Sequence, residues 1–140
     1  MKEKLEEICK KRGIISLYAF GSRAKEVYNL LKGKRKKLKK SSSDLDVAVV
    51  PKEGFFSSAR ERVEFCLELE DLFGAERVDL VVLPEASTFL ALEAIRGEIL
   101  YCDDEIRQAR EEIYYLRKAA DLAFYKDKYF EEMLNGEILI

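Results

Sequence analysis

Short apolar runs and helix-patterned segments take turns along this chain, and that alternation limits the folds open to it. The runs IISLYAF (14–20), DLDVAVV (44–50), RVDLVVL (77–83) and EILYC (98–102) have the length and composition of strands. Pro51 and Pro84 close the second and third, since proline cannot donate to a central ladder. A first helical pattern covers 2–12, with Leu5, Ile8 and Cys9 on one side and Gly13 ending it. A second, RAKEVYNLLK, runs through Ala24, Val27, Tyr28 and Leu31 to Gly33. A third spans the segment from Ser57 or Ser58, either of which can cap it, to Gly74; Glu61 stands at capping-box distance from Ser58. A fourth covers 86–96 and stops at Gly97. The last, 103–134, repeats Ile106, Ala109, Ile113, Leu116, Ala120 and Phe124 at spacings of three and four, followed by the short apolar tail GEILI. The order α-β-α-β-α-β-α-β-α predicts an α/β (α+β) fold: a mixed or parallel sheet of three to four strands covered by helices. Residues 1–102 carry the sheet, and 103–140 add a helix and tail packed on the same domain.

The 140 residues fit one domain. Net charge is −2, but residues 1–50 carry 14 basic and 6 acidic side chains, and residues 51–140 carry 11 and 21. One end should therefore attract anions and the other repel them. The chain has no histidine, which removes Ser-His-Asp and Cys-His nucleophile systems and any zinc site built on histidine. Cys9, Cys66 and Cys102 are far apart and odd in number, as expected of reduced thiols in a cytosolic protein. The start, MKEKLEEICKK, is too charged for a signal peptide, and no apolar run approaches the ~20 residues of a membrane span. A cytoplasmic location without membrane contact is the expectation.

Asp44 and Asp46 stand at the head of a strand that otherwise reads as buried, where an uncompensated carboxylate is expensive. Side chains alternate along a strand, so the two point the same way, with Cα atoms roughly 6.5 Å apart. Carboxylates at that spacing can converge on one or two divalent ions. Asp79 is the candidate third ligand, placed where the next strand would otherwise be apolar. Each has a plainer explanation: Asp44 as a turn acid, Asp79 as a partner of Arg77. The plainer reading of Asp46 is weaker, because it lies inside the strand. Gly21-Ser22 lies between a strand and a helix start, where free N–H groups offer a seat for phosphate. Ser22 can donate to a phosphate oxygen or serve as an ordinary helix cap.

The segments Gly21-Ser22-Arg23-Ala24, Ser43-Asp44-Leu45-Asp46 and Val78-Asp79-Leu80 together resemble the signature of polymerase-β-type nucleotidyltransferases. The likeness is greatest to the minimal nucleotidyltransferases (MNT), antitoxins paired with HEPN-domain toxins. It implies that residues 1–102 form a nucleotidyltransferase domain. It implies transfer of AMP from ATP with two Mg²⁺ ions as cofactor. Asp44 and Asp46 would be shared ligands of both ions. Asp79 would bind the catalytic ion and help deprotonate the acceptor. Gly21 and Ser22 would hold the β- and γ-phosphates, with Arg23 a further phosphate contact. The acceptor implied is a tyrosine hydroxyl of a HEPN toxin partner. A non-catalytic toxin-binding module and a small-molecule, aminoglycoside-type nucleotidyltransferase are the alternatives.

One departure from the family pattern stands out. Twenty-one residues separate Ser22 from Asp44, more than the family's usual gap, and the excess includes KGKRKKLKK. Lys32, Lys34, Arg35, Lys36, Lys37, Lys39 and Lys40 read as a solvated loop, as a fringe attracting ATP phosphates, or as a contact for nucleic acid or an acidic partner. No aromatic residue interleaves with them to stack on bases. The last helix carries Tyr114, Tyr115, Phe124, Tyr125, Tyr129 and Phe130, more aromatics than one core stripe needs. They predict a second face packed on another chain, including an oligomer partner.

Overall fold

The computed structural model describes residues 1–40 and 43–136; the apolar tail from 137 on and the serines at 41–42 lie outside the described residues. Five α-helices and four strands follow in the predicted order. They are α1 (Lys2–Lys11), β1 (Ile14–Phe20), α2 (Ala24–Leu31), β2 (Leu45–Pro51), α3 (Ala59–Phe73), β3 (Val78–Val82), α4 (Thr88–Ile95), β4 (Glu98–Cys102) and α5 (Glu105–Leu134). Short 3₁₀ turns, Gly21–Arg23 and Leu83–Glu85, lead out of β1 and β3. Ser58 caps α3 by accepting from the Glu61 amide at 3.1 Å. Asp104 caps α5 through the amides of Ile106 and Arg107, so that helix starts two residues later than its periodicity suggests.

The sheet is mixed, in the order β3-β2-β1-β4. β1 runs antiparallel to β2 and β4, whereas β2 and β3 are parallel and joined by α3 as a crossover helix. Both faces are covered, which is why the central strands read as nearly continuous apolar runs. Leu17, Ala19, Val47 and Val49 belong to the core shared with α1, α2 and α3, where Leu5, Val27, Phe65 and Leu69 are buried. Tyr18, Phe20, Ala48 and Val50 belong to a second core with Ala91 and Ala94 of α4 and Tyr115 of α5. Alternation along β2 and β3 therefore puts Asp44, Asp46 and Asp79 on the α4 side. All three lie at the end of the sheet where β1 finishes and β2 and β3 begin.

Candidate active site

Three chain segments meet at that end of the sheet. In the β2–β3 ladder Asp46 lies directly opposite Asp79, and in the β1–β2 ladder it lies opposite Phe20. Phe20 hands the chain to Gly21, whose φ of +75° turns the backbone over the Asp46 carboxylate. The approach is so close that a Cβ at Gly21 would stand 2.6 Å from Asp46 Oδ2. Only glycine meets both demands, the positive φ and the missing side chain. Asp44, one residue before β2, faces Arg77 across 3.6 Å from Oδ2 to Nε. Asp44 shares a face with Asp46, and the arginine expected to pair with Asp79 pairs with Asp44 instead.

The electrostatics follow from the crowding. Burial pushes the Asp46 carboxyl above its ordinary range, and the charges of Asp79, Asp44 and Glu93 push it further. Glu93, on α4, is a fourth acid that sequence patterning did not single out. Its nearness depends on how α4 docks, which no local pattern encodes. Asp79 is exposed and open to a ligand or acceptor. Among the described residues, no three acidic or thiol side chains are already drawn together as a metal cage. The donor set nonetheless suits a hard divalent cation. It is all oxygen, it is anionic, and a cation would relieve the repulsion already felt at Asp46.

Ser22 is exposed within the 3₁₀ turn, and neither that turn nor α2 has a side-chain cap. Its hydroxyl therefore does not serve as a helix cap. Arg23 corrects an expectation. Instead of facing the site as a phosphate contact, it is 5% exposed, and its guanidinium is spent inside the chain. Nε pairs with Glu26 at 3.2 Å, one terminal nitrogen donates to the Lys39 carbonyl at 2.7 Å, and the other donates to the Ser43 carbonyl at 3.3 Å. The insertion doubles back over Arg23, whose guanidinium donates to its backbone carbonyls at Lys39 and Ser43.

The family model for the polymerase β nucleotidyltransferase domain matches residues 3–106. The chain belongs to that family. The match contains the Gly-Ser turn, all three aspartates and every strand of the sheet. No match is found among curated proteins. Solved structures share the fold over nearly the whole chain, α5 included. A chain of the MntA–HpeT toxin–antitoxin, in a mutant with two aspartates changed to glutamate, superposes with a TM-score of 0.67 at 17% identity, covering 96% of this chain and 98% of that one. A toxin–antitoxin with AMP-PNP gives 0.64 at 18% identity over 95% and 98%. A complex of tri-AMPylated Shewanella oneidensis HEPN toxin with MNT antitoxin gives 0.62 at 18% over 95% of each. This nucleotidyltransferase therefore has the fold found in those complexes.

Proposed function

We propose that this nucleotidyltransferase moves AMP from ATP onto a protein hydroxyl, a tyrosine of a HEPN-domain toxin, and acts as that toxin's antitoxin. The register that sets Asp46 beside Asp79, under the Gly21 turn and in line with Asp44, carries the reading. A chain built only to bind has no use for like charges held together at the edge of a core. The fold shared with structures holding AMP-PNP or an AMPylated HEPN toxin supports the nucleotide and the acceptor class.

Asp44, Asp46 and Asp79 would hold Mg²⁺. Bound there, it would supply charge neutralisation of the triphosphate and Lewis-acid polarisation of the α-phosphate. The chain's own groups supply position. The Gly21–Ser22 turn presents backbone N–H groups and the Ser22 hydroxyl to the outer phosphates. Asp79, exposed at the sheet edge, takes the proton of the attacking hydroxyl on a carboxylate oxygen. The acceptor oxygen bonds to the α-phosphorus, the bond from that phosphorus to the bridging oxygen breaks, and pyrophosphate leaves. Such transfer rests on alignment and charge neutralisation more than on covalent help from the protein.

ATP labelled at the α-phosphate, supplied with Mg²⁺ and the co-expressed HEPN partner, tests this. The label is expected on the partner, on tyrosine, and lost with EDTA or with Asp46→Asn. If no protein is labelled while an Asp44→Ala/Asp46→Ala variant still silences the partner, neutralisation is by contact and the proposal fails.

A further inference from the structure

The lysine-rich insertion between α2 and β2 has a built interior, and from it we infer a site for a chain of phosphate groups beside the nucleotidyl-transfer centre. Leu38, 8% exposed, is buried in the core with α2 and α3 and plugs the loop into the fold. Buried Arg23, paired with half-buried Glu26, ties the loop from beneath. Arg23 holds the carbonyls of Lys39 and Ser43, and Glu26 accepts the Lys39 amide and pairs with Arg35 at 3.7 Å. Arg35 in turn donates to the Lys37 carbonyl at 2.8 Å. Burial raises the Glu26 carboxyl, but Arg23, the Lys39 amide and Arg35 outweigh it and keep the group below its ordinary range, ionised. A merely solvated spacer has no need of a sheltered ion pair that fixes its backbone.

What the tie presents outward is uncompensated positive charge. No acidic residue lies between Glu26 and Asp44. Among the described residues, the ammonium groups of Lys34, Lys36, Lys37, Lys39 and Lys40 form no ion pair. Lys37, Lys39 and Lys40 bound a cavity of about 360 Å³, closed on the other side by Gly74 and Glu76 after α3. That space holds a few phosphates and excludes a duplex. No aromatic side chain lines it, so bases are not stacked there. Both arginines are consumed internally, which leaves point-charge lysines that read charge density rather than planar shape. The acidic remainder of the chain favours this patch for a polyanion.

Position gives the site its meaning. One end of the tie is Arg23, next to Ser22; the other is Ser43, next to Asp44. A phosphate chain held by the loop would therefore rest on a segment tied at both ends to neighbours of site residues. It comes either from the nucleotide's own outer phosphates or from the phosphodiester backbone of a nucleic-acid strand. The site stands whether or not AMP is the group transferred.

Titrating the full chain with a fluorescent 12-nucleotide oligouridylate, and with tripolyphosphate by calorimetry, tests the inference. The variant Lys37→Ser/Lys39→Ser/Lys40→Ser, all exposed positions, is expected to bind at least about 10-fold more weakly at low salt. Its slope of log affinity against log salt should be shallower by about 2 with the oligonucleotide. Lys34→Ser/Lys36→Ser, outside the cavity, is expected to stay within about twofold of wild type. Tighter oligouridylate assigns the strand as source, and tighter tripolyphosphate assigns the nucleotide; either supports the site. Equal losses in the two variants, equal binding of an oligoglutamate peptide, or no binding by the wild-type chain overturns it.

Discussion

At Gly21 two constraints act on one Cα, and they can be separated. Its φ of +75° disfavours any residue with a Cβ, at about 1–2 kcal/mol. The missing side chain leaves Asp46 Oδ2 its place. Gly33 shares the first constraint, with φ +76°, but nothing stands within 4 Å of where its Cβ would be. Gly21→Ala and Gly33→Ala should therefore lose similar stability in thermal melts. Only Gly21→Ala should also displace the Asp46 carboxylate and lower the proposed nucleotidyl transfer, by about 100-fold for a misplacement near 1 Å. Equal activity in the two variants would remove the Gly21–Asp46 contact from the mechanism. The pairing of Asp44 with Asp46 follows from two-residue alternation and was legible in the sequence. That Asp79 could lie beside the pair on the same face needed the assumption that β2 and β3 are neighbours; the register that sets it opposite Asp46 is a tertiary choice. Arg23 was not legible: its partners lie 16 and 20 residues away in a loop without periodicity, and only chain closure brings them over it.

Among the elements, α5 shows what periodicity reveals and what it hides. Thirty helical residues span about 45 Å, longer than this small body needs. The repeat of three and four marked the helix correctly but not which side packs. Ile106, Ile113, Leu116 and Phe124, on the predicted stripe, are exposed, and Tyr115 and Ala119 are the buried contacts. The docking angle of α5 on α4 selects the face, and that is a tertiary choice. Beyond Ala119 the apolar residues Leu122, Tyr125, Phe130 and Met133 are exposed, so the second half contributes little burial to this chain's own stability. A chain ending at residue 121 should melt within about 2 °C of the full chain. A fall of 5 °C or more, about 1 kcal/mol or greater at this size, would mean that the distal half of α5 packs back on the body.

For the whole molecule, stability against pH is a sum over carboxylates displaced in opposite directions. Glu26, Glu68 and Glu85 are held below the ordinary range: burial opposes at Glu26 and Glu68, but arginine partners prevail, and at Glu85 the Arg62 hydrogen bonds lead. Their contribution is present above the ordinary value near 4.5 and is lost as pH falls through the lowered values. Glu111 and Asp46 act the other way. Burial raises Glu111 to about 7, with Asp103 and Glu112 adding and Arg107 opposing, and its Oε2 has no hydrogen-bond partner among the described residues. Between about 4.5 and 7 the folded chain holds a proton at Glu111 that the unfolded chain has released, so stability falls as pH rises through that window. Above it the carboxylate is charged in the seam where α5 meets the sheet, beside Glu112, which already accepts from Tyr18 and Gln108. The two sets together place maximum stability near pH 5, below neutrality. Melts in EDTA at pH 5, 6, 7 and 8 should show a decline for the wild type from pH 5 to about 7 that levels off by pH 8. Glu111→Gln keeps the shape without the titration, so it should flatten most of that decline and melt roughly 2–4 °C higher at pH 8. A variant that tracks the wild type across the whole range would mean that Glu111 is solvated at the α5 seam, and that the decline comes from Asp46 and its acidic neighbours.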